Sequence, residues 1–281
     1  VLVLIIKDDG VEEGVYSLYS EFDIDENLTD KNQKFVKRGF TGAENKPQKV
    51  ILCVMGTEET TIDTALESLE TIKFDYIAPP SEATEEEINS ICEWIKKERE
   101  AGHWVKGVLP GVAADDEAII NFANNVIKTA SEEFDGKGFC SRIAGLLCGT
   151  PITQSATFSV LEEVTEVDSF TKQELEMAVD AGKFVAFHDG EKVKIASAVT
   201  SLTSKVGKIS AFKKIKILEA ADMIRSDIQK TVEDKYIGKF ANSYDNKCVL
   251  MVAINTYLDE LVREGILKEG AKVEIDTDAQ R

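Results

Sequence analysis

The sequence predicts an α/β first domain, a mostly parallel sheet flanked by helices, followed by an α+β second domain. Three observations predict it. Up to Lys128, short apolar runs of strand length alternate with segments of helical period, the pattern of a parallel sheet covered on both faces. After Pro151 that alternation stops. The last third then carries two long amphipathic helices, with the strands set apart from them. The break falls in residues 149–154, so the expected domains are 1–149 and 150–281.

Residues 1–7 and 15–24 read as strands, the second partly alternating. Residues 31–40 have helical spacing through Phe35, Val36 and Phe40 and close near Gly39 or Gly42. The run KVILCVM at 49–55 is a buried strand. Residues 60–71 form a helix with Ile62, Ala65, Leu66 and Leu69 on one face, and 73–78 a strand ended by Pro79-Pro80. Thr84 with Glu87 three residues on is a capping box. It opens a helix with the buried stripe Ile88, Ile91, Cys92 and Ile95, which Gly102 stops. Residues 103–109 read as a strand, 115–124 as a helix and 126–128 as a short strand. Residues 142–148 are a short apolar helix ended by Gly149-Thr150-Pro151.

In the second half, Thr171 with Glu174 begins a helix that runs to Ala181. Residues 184–188 and 192–198 are strands joined by a turn at Asp189-Gly190. Residues 213–218 read as a strand that places Lys214 and Lys216 on one face and Ile215 and Ile217 on the other. Helices follow at 219–236, with Ile224, Ile228 and Val232 at i, i+4 spacing, and at 245–264, closed by Gly265. A strand at 271–276 ends the pattern.

Length and composition narrow the function classes. The 281 residues suffice for two domains, and 43% apolar content fills real cores. No uncharged apolar run reaches the ~18 residues that a membrane helix needs. The chain opens without Met, so it is expected to be a piece of a longer protein. Net charge is −18 and unevenly placed: residues 1–140 hold 29 acidic against 14 basic residues, a net of −15, and 141–281 hold 22 against 19. Such an acidic half repels phosphate, which argues against nucleic-acid binding. The cysteines, Cys53, Cys92, Cys140, Cys148 and Cys248, are odd in number and widely spaced, and most sit in apolar runs. They read as reduced buried thiols of a protein made in a cytoplasm.

Motifs for catalysis are missing from the sequence. There is no GxGxxG or GxxxxGK[ST], and Asp135-Gly136-Lys137-Gly138 reads as a plain turn. His103 and His188 lie far from any Cys pair, so no zinc site is expected. His188-Asp189 is the one adjacent His–acid pair. Sequence neighbours point apart and make no relay, and no Ser occupies a GxSxG elbow. We therefore expect no catalytic residue, cofactor or metal. The feature left over is basic: Lys205, Lys208, Lys213, Lys214 and Lys216 within twelve residues of an acidic protein. That is either a solvated face or a charge-complementary docking surface for a protein partner.

Four segments carry a family resemblance. SRIAGLLCGTP at 141–151, FTKQELEMAVDAGKFVAFHDGEKVKI at 170–195, ADMIRSDIQKTVEDKYIGKFANSYDNK at 221–247 and VEIDTDAQR at 273–281 occur in the order found in tail sheath proteins of contractile phages and phage-like particles. The chain resembles those of the Gram-positive prophage type, closely over 126–281 and loosely over 31–109. Cys148 takes a position that family keeps small.

The resemblance implies a subtilisin-like first domain without protease residues and a conserved C-terminal sheath domain nearest the tail tube. It implies stacked hexameric rings linked by terminal strands added to a neighbour's sheet, and contraction triggered by the baseplate. The partners implied are further copies of the chain, the tail tube protein and the baseplate, without nucleic acid or membrane. The place implied is a virion tail, built in a bacterial host cytoplasm, with the terminal arms outside this sequence. On that reading Lys213, Lys214 and Lys216 are the expected tube contacts. The competing reading is an α/β enzyme, a hydrolase or a nucleotide-dependent one, whose site no motif marks.

Overall fold

A computed structural model of the chain describes residues 1–56, 60–204 and 209–276. Lys205 and Lys208 of the basic cluster, and the end of the VEIDTDAQR segment, lie outside the described residues. The chain divides into two compact units, Val1–Leu218 and Glu219–Arg281.

In chain order the strands are β1 (Leu2–Lys7), β2 (Gly14–Leu18), β3 (Val50–Met55), β4 (Tyr76–Ala78), β5 (Lys106–Pro110), β6 (Ile119–Phe122), β7 (Ile127–Thr129), β8 (Glu133–Phe134), β9 (Val164–Val167), β10 (Lys183–Phe184), β11 (Ala186–His188) and β12 (Val193–Ile195). The helices are α1 (Asp30–Thr41), α2 (Ile62–Leu69), α3 (Glu85–Glu100), α4 (Gly136–Cys148), α5 (Lys172–Asp180), α6 (Ile215–Lys235) and α7 (Tyr244–Arg263).

The first unit is built on a seven-stranded sheet of order β10-β6-β5-β4-β1-β3-β2. Its pairings are parallel except for β2, which runs antiparallel to β3 at one edge. Side chains alternate across a strand, and β1 shows the consequence. Leu2, Leu4 and Ile6 enter the core that holds Phe35, Val36 and Phe40 of α1 with Phe139, Ile143 and Ala144 of α4. Val3 and Ile5 enter the opposite core, with Leu66 and Leu69 of α2 and Ile88, Ile91 and Ile95 of α3. Both faces are therefore sealed, as the unbroken apolar runs of β1 and β3 predict. The capping box at Thr84 and Glu87 forms, with Glu87 N–H to Thr84 Oγ1 at 3.2 Å and Thr84 N–H to Glu87 Oε2 at 2.8 Å.

Smaller sheets complete the unit: β8-β7-β9 and the hairpin β11-β12. The compact units divide at a different point from the expected 149/150 break. Although strand and helix stop alternating there, β10 returns to pair with β6, and Val193 and Ile195 join the core of α1 and α4.

Four expectations are corrected. Residues 115–124, read as a helix, contain β6, whose four residues are all buried between β5 and β10. A short run buried on both faces has no period that separates strand from helix. The turn expected at 135–138 is the first turn of α4: Asp135 caps it, accepting from Gly138 N–H at 2.8 Å. The strand expected at 213–218 is a 3-10 turn, Ser210–Lys213, running into α6. Residues 271–276 form no strand.

The described part of the second unit is helical, and the strands of the expected 150–281 domain, β9 to β12, fall in the first unit. Tyr257 on α7 donates from its hydroxyl to Asp227 on α6 at 2.6 Å. Asn255 exchanges both its amide bonds with the backbone of Val273, at 2.8 and 3.1 Å, and so imitates a strand partner.

Candidate docking surfaces

Lys213, Lys214 and Lys216 are brought together, in a geometry other than the expected strand face. The strand shrinks to one bridge, Val199 with Lys214. The buried Thr200 anchors the turn: its N–H donates to Lys213 O at 2.8 Å and its hydroxyl to Phe212 O at 3.0 Å. Ile215 N–H then donates to Ala198 O at 3.2 Å, and Ile215 and Leu218, one helical turn apart, are both buried. This i, i+3 burial makes the segment a helix start, leaving Ile217 exposed beside them. Lys214 is exposed and Lys213 half-buried. Lys216 turns back to bond the carbonyl of Thr153, so it braces the corner, and Lys213 and Lys214 are the charges it presents.

The histidines are engaged locally. His188 Nδ1 accepts from Gly190 N–H at 3.0 Å inside its hairpin turn. Asp189 closes the same turn, accepting from the N–H groups of Glu191 and Lys192 and pairing with Lys194, which holds its carboxyl far below the usual range. His103 Nδ1 lies 2.5 Å from Glu98 at the end of α3. Among the described residues no group of three or more His, Cys, Asp or Glu is placed to hold a metal. These titratable groups bind turns and helix ends.

Sequence reasoning missed the exposed apolar side chains. In the first unit Tyr19 is 68% and Phe22 98% exposed. In the second, Ile237, Phe240, Tyr244, Val249 and Val252 are all more than half exposed. Val249 and Val252 stand inside the apolar run Cys248–Ile254, where only the fold tells which side chains face outward. Phe22 had one signal: it sits in an acidic run without helical partners.

The histidines and Asp189 are committed to turns and helix ends, and apolar side chains of both units face outward. Comparisons give the family. Residues 24–201 match the phage tail sheath protein central domain and residues 208–281 the phage tail sheath C-terminal domain. The chain is similar to the tail sheath protein of Clostridium phage phiCD119, at 37% identity across all of this chain and 80% of that protein. It is also similar to the phage-like element PBSX protein XkdK of Bacillus subtilis, at 27% identity over 60% of this chain and 37% of that protein.

Solved structures share the fold. The sheath tail protein of Desulfitobacterium hafniense superposes with a TM-score of 0.82 at 14% identity, covering 95% of this chain and 87% of that one. The anti-feeding prophage helical sheath in its contracted state gives 0.76 at 14% identity, covering 98% and 80%. The chain belongs to the phage tail sheath family. It is a structural tail sheath protein of phages and phage-like particles, not an enzyme.

Proposed function

We propose that the chain polymerises as stacked hexameric rings around a tail tube and contracts to drive that tube through the host envelope. The observation that carries this reading is the match of both halves, central and C-terminal, to sheath domains, together with 37% identity to a phage sheath along the whole chain. The fold shared with a sheath in its contracted state supports it. The partners are further copies of the chain, the tube protein and a baseplate. The place is the virion tail, after synthesis in the host cytoplasm. Metastable assembly followed by rigid-body movement of subunits is the physical requirement. A doubly covered sheet suits it, because close-packed cores move as rigid pieces. In this reading the first unit is a subtilisin-like scaffold without protease residues. The exposed apolar side chains of the second unit meet neighbouring chains or the tube.

Lys213 and Lys214, braced by Lys216, contribute to tube contact. Negative-stain electron microscopy of the full-length protein, with and without tube protein, tests the assembly. Regular tubes are expected, and discrete particles under every condition would overturn it. Reversing both charges, Lys213→Glu with Lys214→Glu, should weaken co-sedimentation with tube protein. Undiminished binding would remove those lysines from the interface.

A further inference from the structure

Asparagine is an awkward residue for the interior of a helix. Its short amide competes with the backbone for hydrogen bonds, and it lies well below alanine in helix propensity. Asn255 nevertheless stands inside the twenty-residue α7, and its side chain is committed to a segment outside that helix. Its Nδ2 donates to Val273 O at 3.1 Å, and its Oδ1 accepts from Val273 N–H at 2.8 Å. Two bonds to the N–H and C=O of one residue are the contact that a facing antiparallel strand makes. Here a carboxamide makes it.

The chain reaches Asn255 by turning back. After Arg263 the helix ends in a Schellman motif: Gly265, at φ 74°, bonds through its N–H to Val262 O at 3.1 Å, and Ile266 N–H bonds to Leu261 O at 2.9 Å. Gly270, at φ 93°, marks a second turn. Residues 271–276 then return along α7 to a point about two turns before its end. Their burial alternates. Ala271, Val273 and Ile275 are half-buried, while Lys272, Glu274 and Asp276 are exposed, with Lys272 paired to Glu274. That is the period of a strand, yet no strand pairs with the segment among the described residues. Alternation alone leaves the register open, because a slip of two residues keeps the same face inward. With the turns fixing the length of chain before it, a clamp on one backbone residue settles the choice at Val273.

We propose that Asn255 is a positioning residue that fixes the register of residues 271–276 on α7 in the free subunit, so that the segment enters sheath assembly already ordered. This role deepens the sheath reading and rests on it. The gain is entropic, since a segment ordered before association loses less freedom in it. Asn255→Ala frees the segment without weakening α7, because alanine is the better helix former. Asn255→Asp separates the two bonds. An ionised carboxylate accepts from Val273 N–H but has no proton for Val273 O, whereas the neutral acid supplies both.

The test measures amide-exchange protection in dilute full-length protein, corrected for intrinsic rates, with the Leu258 amide of α7 as internal reference. In Asn255→Ala, protection at Val273 should fall about tenfold, roughly what a lost hydrogen bond brings, with Leu258 unchanged. Asn255→Asp should lie between the two near pH 7 and reach the wild-type value as the pH falls toward about 4, where the carboxyl takes up its proton. Sedimentation then finds the concentration at which each protein forms tubes, and Asn255→Ala should need several-fold more. Unchanged protection at Val273 overturns the clamp, and so does an aspartate variant that follows alanine at every pH. Loss of protection at Leu258 as well would assign Asn255 to α7 itself and overturn the positioning role. A loosened segment with an unchanged tube threshold overturns the role in assembly and leaves the sheath reading standing. Wild-type protein that never forms tubes, with exchange as expected, overturns the sheath reading and keeps the clamp.

Discussion

Gly145 of α4 lies directly on the backbone of Gly39 in α1. A Cβ at position 145 would stand 2.1 Å from the Gly39 carbonyl oxygen, and one at 39 would stand 2.8 Å from Leu4 Cδ1. The two helices cross at a point where neither has a side chain, which lets both cover the same face of the sheet. Gly145→Ala should therefore destabilise the first unit by at least the 1–3 kcal/mol or so typical of overpacking, because the obstacle is backbone and cannot rotate away. Chemical denaturation of the variant measures it, and a neutral substitution would contradict the crossing.

Arg142, in the same helix, is 4% exposed and ties three segments. Its Nε donates to Glu163 at 2.5 Å and its Nη1 to Gly42 O at 2.8 Å. Arg142→Ala empties a buried site and leaves the Gly42 carbonyl without its donor, and should cost about 3 kcal/mol. Glu163 is about one-third exposed, so Glu163→Gln should cost clearly less. Thermal unfolding of the two variants side by side tests the order.

Asp8 ends β1 and accepts from Gly10 N–H, Thr29 N–H and hydroxyl, and Asn32 Nδ2, all at 2.8–2.9 Å. Burial favours its neutral form, but the donors from Asn32, Gly10 and Thr29 outweigh that and hold its carboxyl below the ordinary range. A folded pKa below the unfolded value, about 3.9, means that the stabilisation is complete above that pH. It is lost as pH falls through the folded value. Wild type should weaken below about pH 4, and Asp8→Asn should be weaker at neutral pH with a shallower acid loss. Urea midpoints across that range decide it.

Burial also sets thiol reactivity. Cys53, Cys92 and Cys140 are buried, and desolvation raises the pKa of each, Cys140 most of all. Only the thiolate reacts. Alkylation of native protein should mark Cys148 and Cys248, both partly exposed, and reach the other three only after unfolding. Peptide mapping would show the difference.

The local signals in the sequence were strong where one face was buried and chemistry was local. The capping boxes at Thr84 and Thr171, the stripe from Ile88 to Ile95, the apolar runs of β1 and β3 and the Asp189-Gly190 turn all stand as read. Reading failed where two periods competed. Ala118, Ile119 and Phe122 fit a helix as well as a buried strand, and Lys214 to Ile217 alternate like a strand although Ile215 and Leu218 are buried as a helical pair.

By itself, then, the sequence determined the family, the parallel sheet and its sealed faces, because those follow from motif order and side-chain period. Tertiary structure decided which segments share an edge. The return of β10 to β6 and the bracing of Lys216 on Thr153 depend on contacts between residues far apart in the chain. No local pattern encodes such distances; they are fixed only when the strands pack side by side.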